Sequence, residues 1–462
     1  MQHNILPGND PVKNTLAKNG RRILFACVPA DGHFNPLTGL ATHLKEMGHD
    51  VRFYTQDYYK EKVAKLGLHH YPFVNVPQIN ANNFEEFFSE RKAIKSQVKK
   101  FKYDLEHLFI GFGPKYFQDL EAIYQDFPYD LLIADIMFTG SAYIKDKLRI
   151  PVITVGIAPI MESSKDLAPA GLGITPSYTF FGKIKQGLMR FSCDKMMFSG
   201  LTKINNRIFR QYGVKVVSGN VLDILYRKVD LVLQSGTPGF EYRRGDLNPK
   251  IRYIGPLLPK HKPGNEPFRL CAEQAQYKKV ILVTQGTAEP DVEKLLVPTL
   301  EAFRNTEYLV IATTAGNRTE ELKARFPEKN ILIRDFIPFS EVMPLADVFI
   351  TNGGYGGTLL GITHKLPLVV AGVHEGKSEI CARVGYFKLG VNMKTETPTP
   401  VKIQAAVNEV LNNPLYKERV TRLSHEFSLY DADERCAMYV NDLLQQAKVE
   451  YKKINRASGV TL

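Results

Sequence analysis

The chain has no tryptophan and only five cysteines, at positions 27, 193, 271, 381 and 436, among its 462 residues. An odd number without CxxC spacing argues against a disulfide scaffold or a zinc site and fits free thiols in a reducing cytoplasm. No uninterrupted apolar run reaches the roughly 18 residues of a membrane span. Residues 1–20 lack a signal peptide's apolar stretch and read as a disordered polar arm. Short internal repeats and low-complexity tracts are missing as well. No clustered His, Cys, Asp or Glu ligand set stands out, so no metal is expected.

What the chain does have is 44 % apolar and 23 % charged residues, with 27 Phe and 22 Tyr, enough apolar surface for a folded core. Its formal net charge is +12. Much of that excess is local, since residues 91–102 (RKAIKSQVKKFK) carry six basic residues and no acid. Such an excess could suit a nucleic acid, a phosphorylated small molecule or a lipid headgroup, but a solvated helix face is the expected reading: no nucleic acid partner is expected, and contact with a membrane surface is an alternative that is not favoured.

Folding signals begin at Arg21. RRILFACVP reads as a buried strand, ADGHFN as a loop, and a helix follows with Pro36 near its first turn and Leu37, Leu40, Leu44 and Met47 on one face. DVRFYT, YDLLIAD, IPVITVG and VDLVLQS repeat the alternation of buried strand and helix, which means a parallel sheet covered on both faces. A second start lies at KKVILVTQGTAEPD, followed by strands at YLVIATT, NILIRDF, DVFITNG and PLVVAG. Between the halves, IGPLLPKHKPGNEPF has four prolines and two glycines, a linker composition. The expected plan is two doubly wound Rossmann-like α/β domains facing each other across a cleft: 21–253, a linker at 254–277, and 278–430. A helical tail over 431–462 is expected to pack back on the first domain. The intervals 77–128 and 158–220 break the alternation and read as helical or loop excursions, which commonly build the wall of a substrate pocket; surface helices with ordinary packing aromatics are the equal alternative for any single residue there.

The densest chemical signal is TNGGYGGT (351–358), four glycines between an apolar strand and a helix. Such a turn lets backbone approach an anion, and the helix start adds unpaired N–H groups and the positive end of its dipole. Glycines serving sterics alone are the alternative. No Gly-Lys-Ser/Thr follows, so this is not a P-loop. The turn TQGTAE (284–289) offers Gly286 and Thr287 beside it. In the first half, His33 and Asp135 both lie at carboxyl ends of strands. An imidazole there suits a general base, and a carboxylate would fix its tautomer. The single DxD, Asp431-Ala-Asp433, reads as a helix cap.

These residues resemble the family 1 glycosyltransferases with the GT-B fold, in their bacterial branch. RILFACVPADGHFNPLTGLATHLKEMGHDVRFYT is similar to that family's opening strand, catalytic loop and helix, and 335–392 to its nucleotide-sugar signature. The resemblance implies that His33 deprotonates an acceptor hydroxyl and that Asp135 orients it. It places Gly286, Thr287, Asn352, Gly353, Gly354, Gly356, Gly357 and Thr358 on the diphosphate cradle, and Phe336 and Ile337 at the uracil. Glu375 and Glu379 fall where an acid grips the donor sugar. The family's usual phosphate-contacting histidine is Asn352 here, and the plant ribose-binding acid aligns with Leu360. The implied activity is inverting, metal-independent transfer of a sugar, glucose first, from a UDP-sugar to a small hydrophobic or aromatic acceptor, without a further cofactor. A nucleotide-sugar epimerase or hydrolase, or a glycolipid-forming transferase at a membrane surface, is the alternative.

Overall fold

The computed structural model describes residues 20–79, 84–259, 268–287, 289–374 and 376–457. The polar arm expected over 1–20 lies, except for Gly20, outside the described residues, as does the middle of the linker.

Seven strands make the first sheet: β1 (Arg22–Ala26), β2 (Asp50–Tyr54), β3 (His69–Tyr71), β4 (Leu131–Asp135), β5 (Val152–Gly156), β6 (Leu231–Ser235) and β7 (Ile251–Gly255). All pairings are parallel, in the order β3-β2-β1-β4-β5-β6-β7. The second sheet has β8 (Lys279–Thr284), β9 (Tyr308–Thr313), β10 (Ile331–Arg334), β11 (Val348–Thr351), β12 (Leu368–Val370) and β13 (Gly390–Asn392), again parallel, in the order β10-β9-β8-β11-β12-β13. The same reversal of strand order occurs twice, between β1 and β4 and between β8 and β11. At each reversal the flanking connections leave on opposite faces and open a crevice at the carboxyl ends of the strands.

Strands β1, β4 and β5 are buried almost throughout, as apolar runs covered on both faces must be. Strands β3, β7 and β13 were not anticipated. Two are three residues long, HHY and GVN, too short and too polar to carry a strand signal. The third, IRYIG, runs two residues past the expected end of the first domain, and Ile254 and Leu257 are buried in the first core, so the connection leaves that domain only after Leu257.

The helix after β1 starts at Asp31, not after the loop ADGHFN, so His33 stands in its first turn and Pro36 inside it. Proline is tolerated there because the carbonyl it leaves without an N–H is that of Gly32, still in the opening turn, where no Cβ crowds the ring. The helix ends as expected: Gly48 takes φ +92° and its N–H reaches the Lys45 carbonyl at 2.9 Å.

The last helix, Ala432–Ala457, crosses back to the first domain. Cys436, Ala437, Val440 and Leu444 are buried in that domain's core rather than in either core flanking the second sheet. The DxD aspartate Asp431 precedes this helix, and its carboxylate accepts the Glu434 N–H at 3.1 Å, a helix cap.

Candidate active site

The first crevice is organised around one buried carboxylate. Asp135 ends β4 fully buried, and its Oδ2 accepts the Val28 N–H at 2.8 Å while Oδ1 accepts the Met137 N–H at 2.9 Å. Both oxygens are thus fixed as acceptors by backbone N–H groups. His33 Nδ1 lies 2.9 Å from Oδ1. Facing an acceptor that is already held by N–H groups, Nδ1 carries the proton and donates it. Nε2 is then left with its lone pair, on a side chain 25 % exposed. Neither of two neighbouring titratable groups supplies a competing anion. The neighbouring Cys27 thiol is pushed well up, first by burial and then by the Asp135 charge, and the buried Tyr116 hydroxyl is pushed up for the same two reasons.

The second crevice holds the glycine turn. Gly353 has φ +78°, and a Cβ on it would stand 2.4 Å from Cys381 Sγ, so this glycine is required by packing. Gly354 and Gly356 are different. Only Asn352 Oδ1, at 3.6 Å, is near a Cβ built on Gly354, and nothing lies within 4 Å of one on Gly356. Gly354 is the first cap of the helix Tyr355–Thr363, with no side-chain cap, so the N–H groups of its first turn are available to a ligand. Thr358, fully buried in that helix, has a hydroxyl without a hydrogen-bond partner.

Asn352 ties the two turns of this crevice together. Its amide donates to the Gln285 carbonyl, and its Oδ1 accepts the Gly354 N–H at 3.2 Å. One amide hydrogen and the oxygen are therefore used to tie the β8 turn to the β11 turn, holding Gly286 (φ +76°) against the glycine turn. Thr287 is exposed beside it. After β10, the Phe336 ring is 72 % exposed and Ile337 packs on the second core. Strand β10 is two places from β8, roughly 10 Å at the usual strand spacing of about 4.8 Å.

Glu379 does not present a free carboxylate. Its Oε1 accepts the N–H groups of Gly171 and Gly173, each at 2.9 Å, and Oε2 accepts Arg383 Nη1 at 2.9 Å. The structure thus gives it an interdomain bond in place of the expected sugar contact. Glu375 lies outside the described residues. Arg383, which the sequence reading missed, is buried and also donates to Glu241 Oε2 at 2.8 Å, with its guanidinium 4.2 Å from the Tyr242 ring centre. Tyr355, inside the glycine motif, sends its hydroxyl to the Ser235 carbonyl at the end of β6, at 2.7 Å. The glycine helix is therefore anchored directly to the domain that carries His33.

Comparison with known proteins follows the same division. Residues 23–124 match the model of the glycosyltransferase family 28 N-terminal domain. Residues 299–433 match that of the erythromycin biosynthesis protein CIII-like C-terminal domain. The chain is 31 % identical over 413 residues to 4'-demethylrebeccamycin synthase of Lentzea aerocolonigenes, covering 89 % of this chain and 97 % of that protein. It is 28 % identical over 437 residues to UDP-glucosyltransferase 1 of Beauveria bassiana, covering 90 % and 94 %. With a fungal relative matched over the same span, the bacterial branch of the resemblance is not singled out. Among solved structures, the glycotransferase of kitacinnamycin superposes with a TM-score of 0.72 at 18 % identity, over 92 % of this chain and 100 % of that one.

Proposed function

Since the chain belongs to the family 1-like glycosyltransferases and has their GT-B fold, we propose that it moves a sugar, with inversion and without a metal, from a UDP-sugar to a hydroxyl of a small hydrophobic or aromatic acceptor. UDP-glucose is the donor to try first. The observation that carries this reading is the pairing of two strand-end crevices: a carboxylate-backed imidazole in one, and a glycine-lined helix start in the other.

The chemistry follows from those two parts. His33 Nε2 takes the acceptor proton while the acceptor oxygen bonds to the anomeric carbon. The bond from that carbon to the diphosphate breaks, and its electron pair leaves on the diphosphate. Asp135 stabilises the imidazolium that forms. The first-turn N–H groups after Gly354 and the Thr358 hydroxyl meet the developing negative charge, an electrostatic contribution that is large in a closed cleft. A single displacement, with base and leaving group on opposite sides of the sugar, inverts the anomeric centre. The exposed Phe336 ring supplies a stacking face for the base at the far side of β8, and the names of the relatives favour a natural-product acceptor and a UDP-sugar donor.

Gly354→Val tests the cradle. The residue has φ −61° and ψ 142°, a backbone that valine adopts freely, and a Cβ there meets only one atom, so the fold should be kept. UDP binding measured by calorimetry should be lost, because the branched side chain occupies the approach to the helix start. Unchanged UDP affinity would remove the glycine turn from the donor site. With backbone donors in place of a cation, turnover with UDP-glucose and a phenol panel, read by mass spectrometry, should be the same in chelator as in Mg²⁺. Loss of product in chelator with rescue by Mg²⁺ or Mn²⁺ would overturn that part.

A further inference from the structure

One helix of the first domain is built the wrong way round for a surface helix. Phe180–Cys193 buries a single residue, and that residue is Gln186. Its amide donates to the Asp166 and Ser177 carbonyls at 3.1 and 3.2 Å, and its oxygen accepts the Ser177 N–H at 2.7 Å. Arg190 reaches inward as well, to the Leu167 carbonyl. Polar groups thus anchor the helix, while Phe180, Phe181, Ile184, Leu188 and Phe191 face out, Phe181 being 80 % exposed; Met196 just beyond is 82 % exposed. An amphipathic helix on a water-facing surface does the opposite, and a contiguous exposed apolar patch marks an interaction site.

The surroundings say what it meets. Lys183, Lys185 and Lys195 are exposed among these rings, with the Lys195 ammonium 5.7 Å from the Phe191 ring centre. The one acid between 180 and 203, Asp194, accepts the Asn220 amide. The basic segment 91–102 approaches the end of this stretch, the Lys102 ammonium lying 4.0 Å from the Cβ position of Gly200. A second copy seated on this face by a twofold would set lysine against lysine. A small acceptor is shorter than the helix, whose 14 residues span about 20 Å. Exposed rings ringed by lysines suit a flat, apolar, negatively charged partner.

We propose that this face docks on the surface of an anionic lipid bilayer, the rings entering the headgroup boundary and the lysines pairing with lipid phosphates. The patch borders the interdomain seam, since Leu172, which lines the patch's open groove of about 560 Å³, lies between Gly171 and Gly173, the two residues bound to Glu379. Docking there would bring that seam to the lipid.

The full chain should pellet with vesicles of phosphatidylcholine and phosphatidylglycerol at low salt, less at high salt, and hardly at all with phosphatidylcholine alone. Phe180→Ser with Phe181→Ser should lower the partition coefficient by about tenfold or more, since rings are no longer withdrawn from water. Lys183→Gln with Lys185→Gln should lower it by about fivefold per lysine, whereas Lys278→Gln on the other domain should change nothing. All are exposed positions, and an unchanged melting curve verifies the fold. Absence of pelleting, equal pelleting with neutral vesicles, or a dimer in sedimentation equilibrium that the Phe180→Ser/Phe181→Ser variant dissociates would each overturn the proposal, the last by assigning the face to a second copy.

Discussion

His33→Ala is expected to lower turnover by roughly 10²–10⁴-fold, the usual worth of a positioned general base, while UDP affinity stays nearly unchanged. The separation follows from topology. His33 lies after β1 in the first sheet, and the glycine turn lies after β11 in the second, so the substitution removes deprotonation without touching the cradle. Asp135→Asn should slow the reaction by a similar amount or less. It acts through the imidazole: an amide has one acceptor oxygen where the carboxylate has two, so it can accept from the Val28 N–H or from the Met137 N–H but not from both, and it no longer stabilises an imidazolium. The variant lacking both should be little worse than His33→Ala alone, because the two groups act as one unit. An acidic phenol or a thiol, which ionises readily, should lose less than an aliphatic alcohol. Equal losses across acceptors, or multiplication of the two single effects, would remove the pair from the mechanism.

The legible part of this molecule is the part in which one residue's position decides its surroundings. Short apolar runs bounded by turn signals and alternating with helices read as buried strands, so ten of the thirteen strands among the described residues are visible as RILFA-like segments. A histidine and an aspartate at carboxyl strand ends, and a glycine run before a helix, are visible for the same reason. What was hidden depends on partners distant in sequence. Glu379 and Arg383 are four apart on one helix and look like an ordinary exposed pair. Nothing local reveals that Glu241, 142 residues away, meets the same guanidinium. Asn352 stands in a glycine turn whose local pattern points to a phosphate contact, while its tie to Gln285, 67 residues earlier, is tertiary and has no local signal. The inverted helix at 180–193 shows apolar spacing in sequence but not which side of it faces the core. Only the inward amide of Gln186 fixes that.

Arg383→Ala should be the most destabilising of the substitutions considered, by about 3–5 kcal/mol, the cost of breaking a buried ion pair by deleting one partner. The guanidinium is 2 % exposed and serves two carboxylates, Glu241 through Nε and Nη2 and Glu379 through Nη1. Each carboxylate in turn holds backbone of the first domain: Glu241 accepts the Ile160 N–H at 3.0 Å, and Glu379 those of Gly171 and Gly173. Burial lowers the Arg383 pKa and the two carboxylates more than offset it, so the group is always charged. Its removal strands two negative charges in the interdomain seam. At 2–4 °C per kcal/mol for domains of this size, the midpoint of thermal unfolding should fall by roughly 6–20 °C. The pH dependence separates this account from simple loss of packing. Without the guanidinium, two carboxylate charges stand uncompensated in the seam, a cost that exists only while both are ionised. The deficit relative to the parent protein should therefore shrink on mild acidification, while moderate salt should leave it unchanged because the seam is buried. Arg383→Met with Glu241→Gln, which removes one charge of each sign, should recover part of the loss. A deficit that is constant with pH, or a double substitution that merely adds to the single one, would mean that the trio contributes volume to the seam rather than charge.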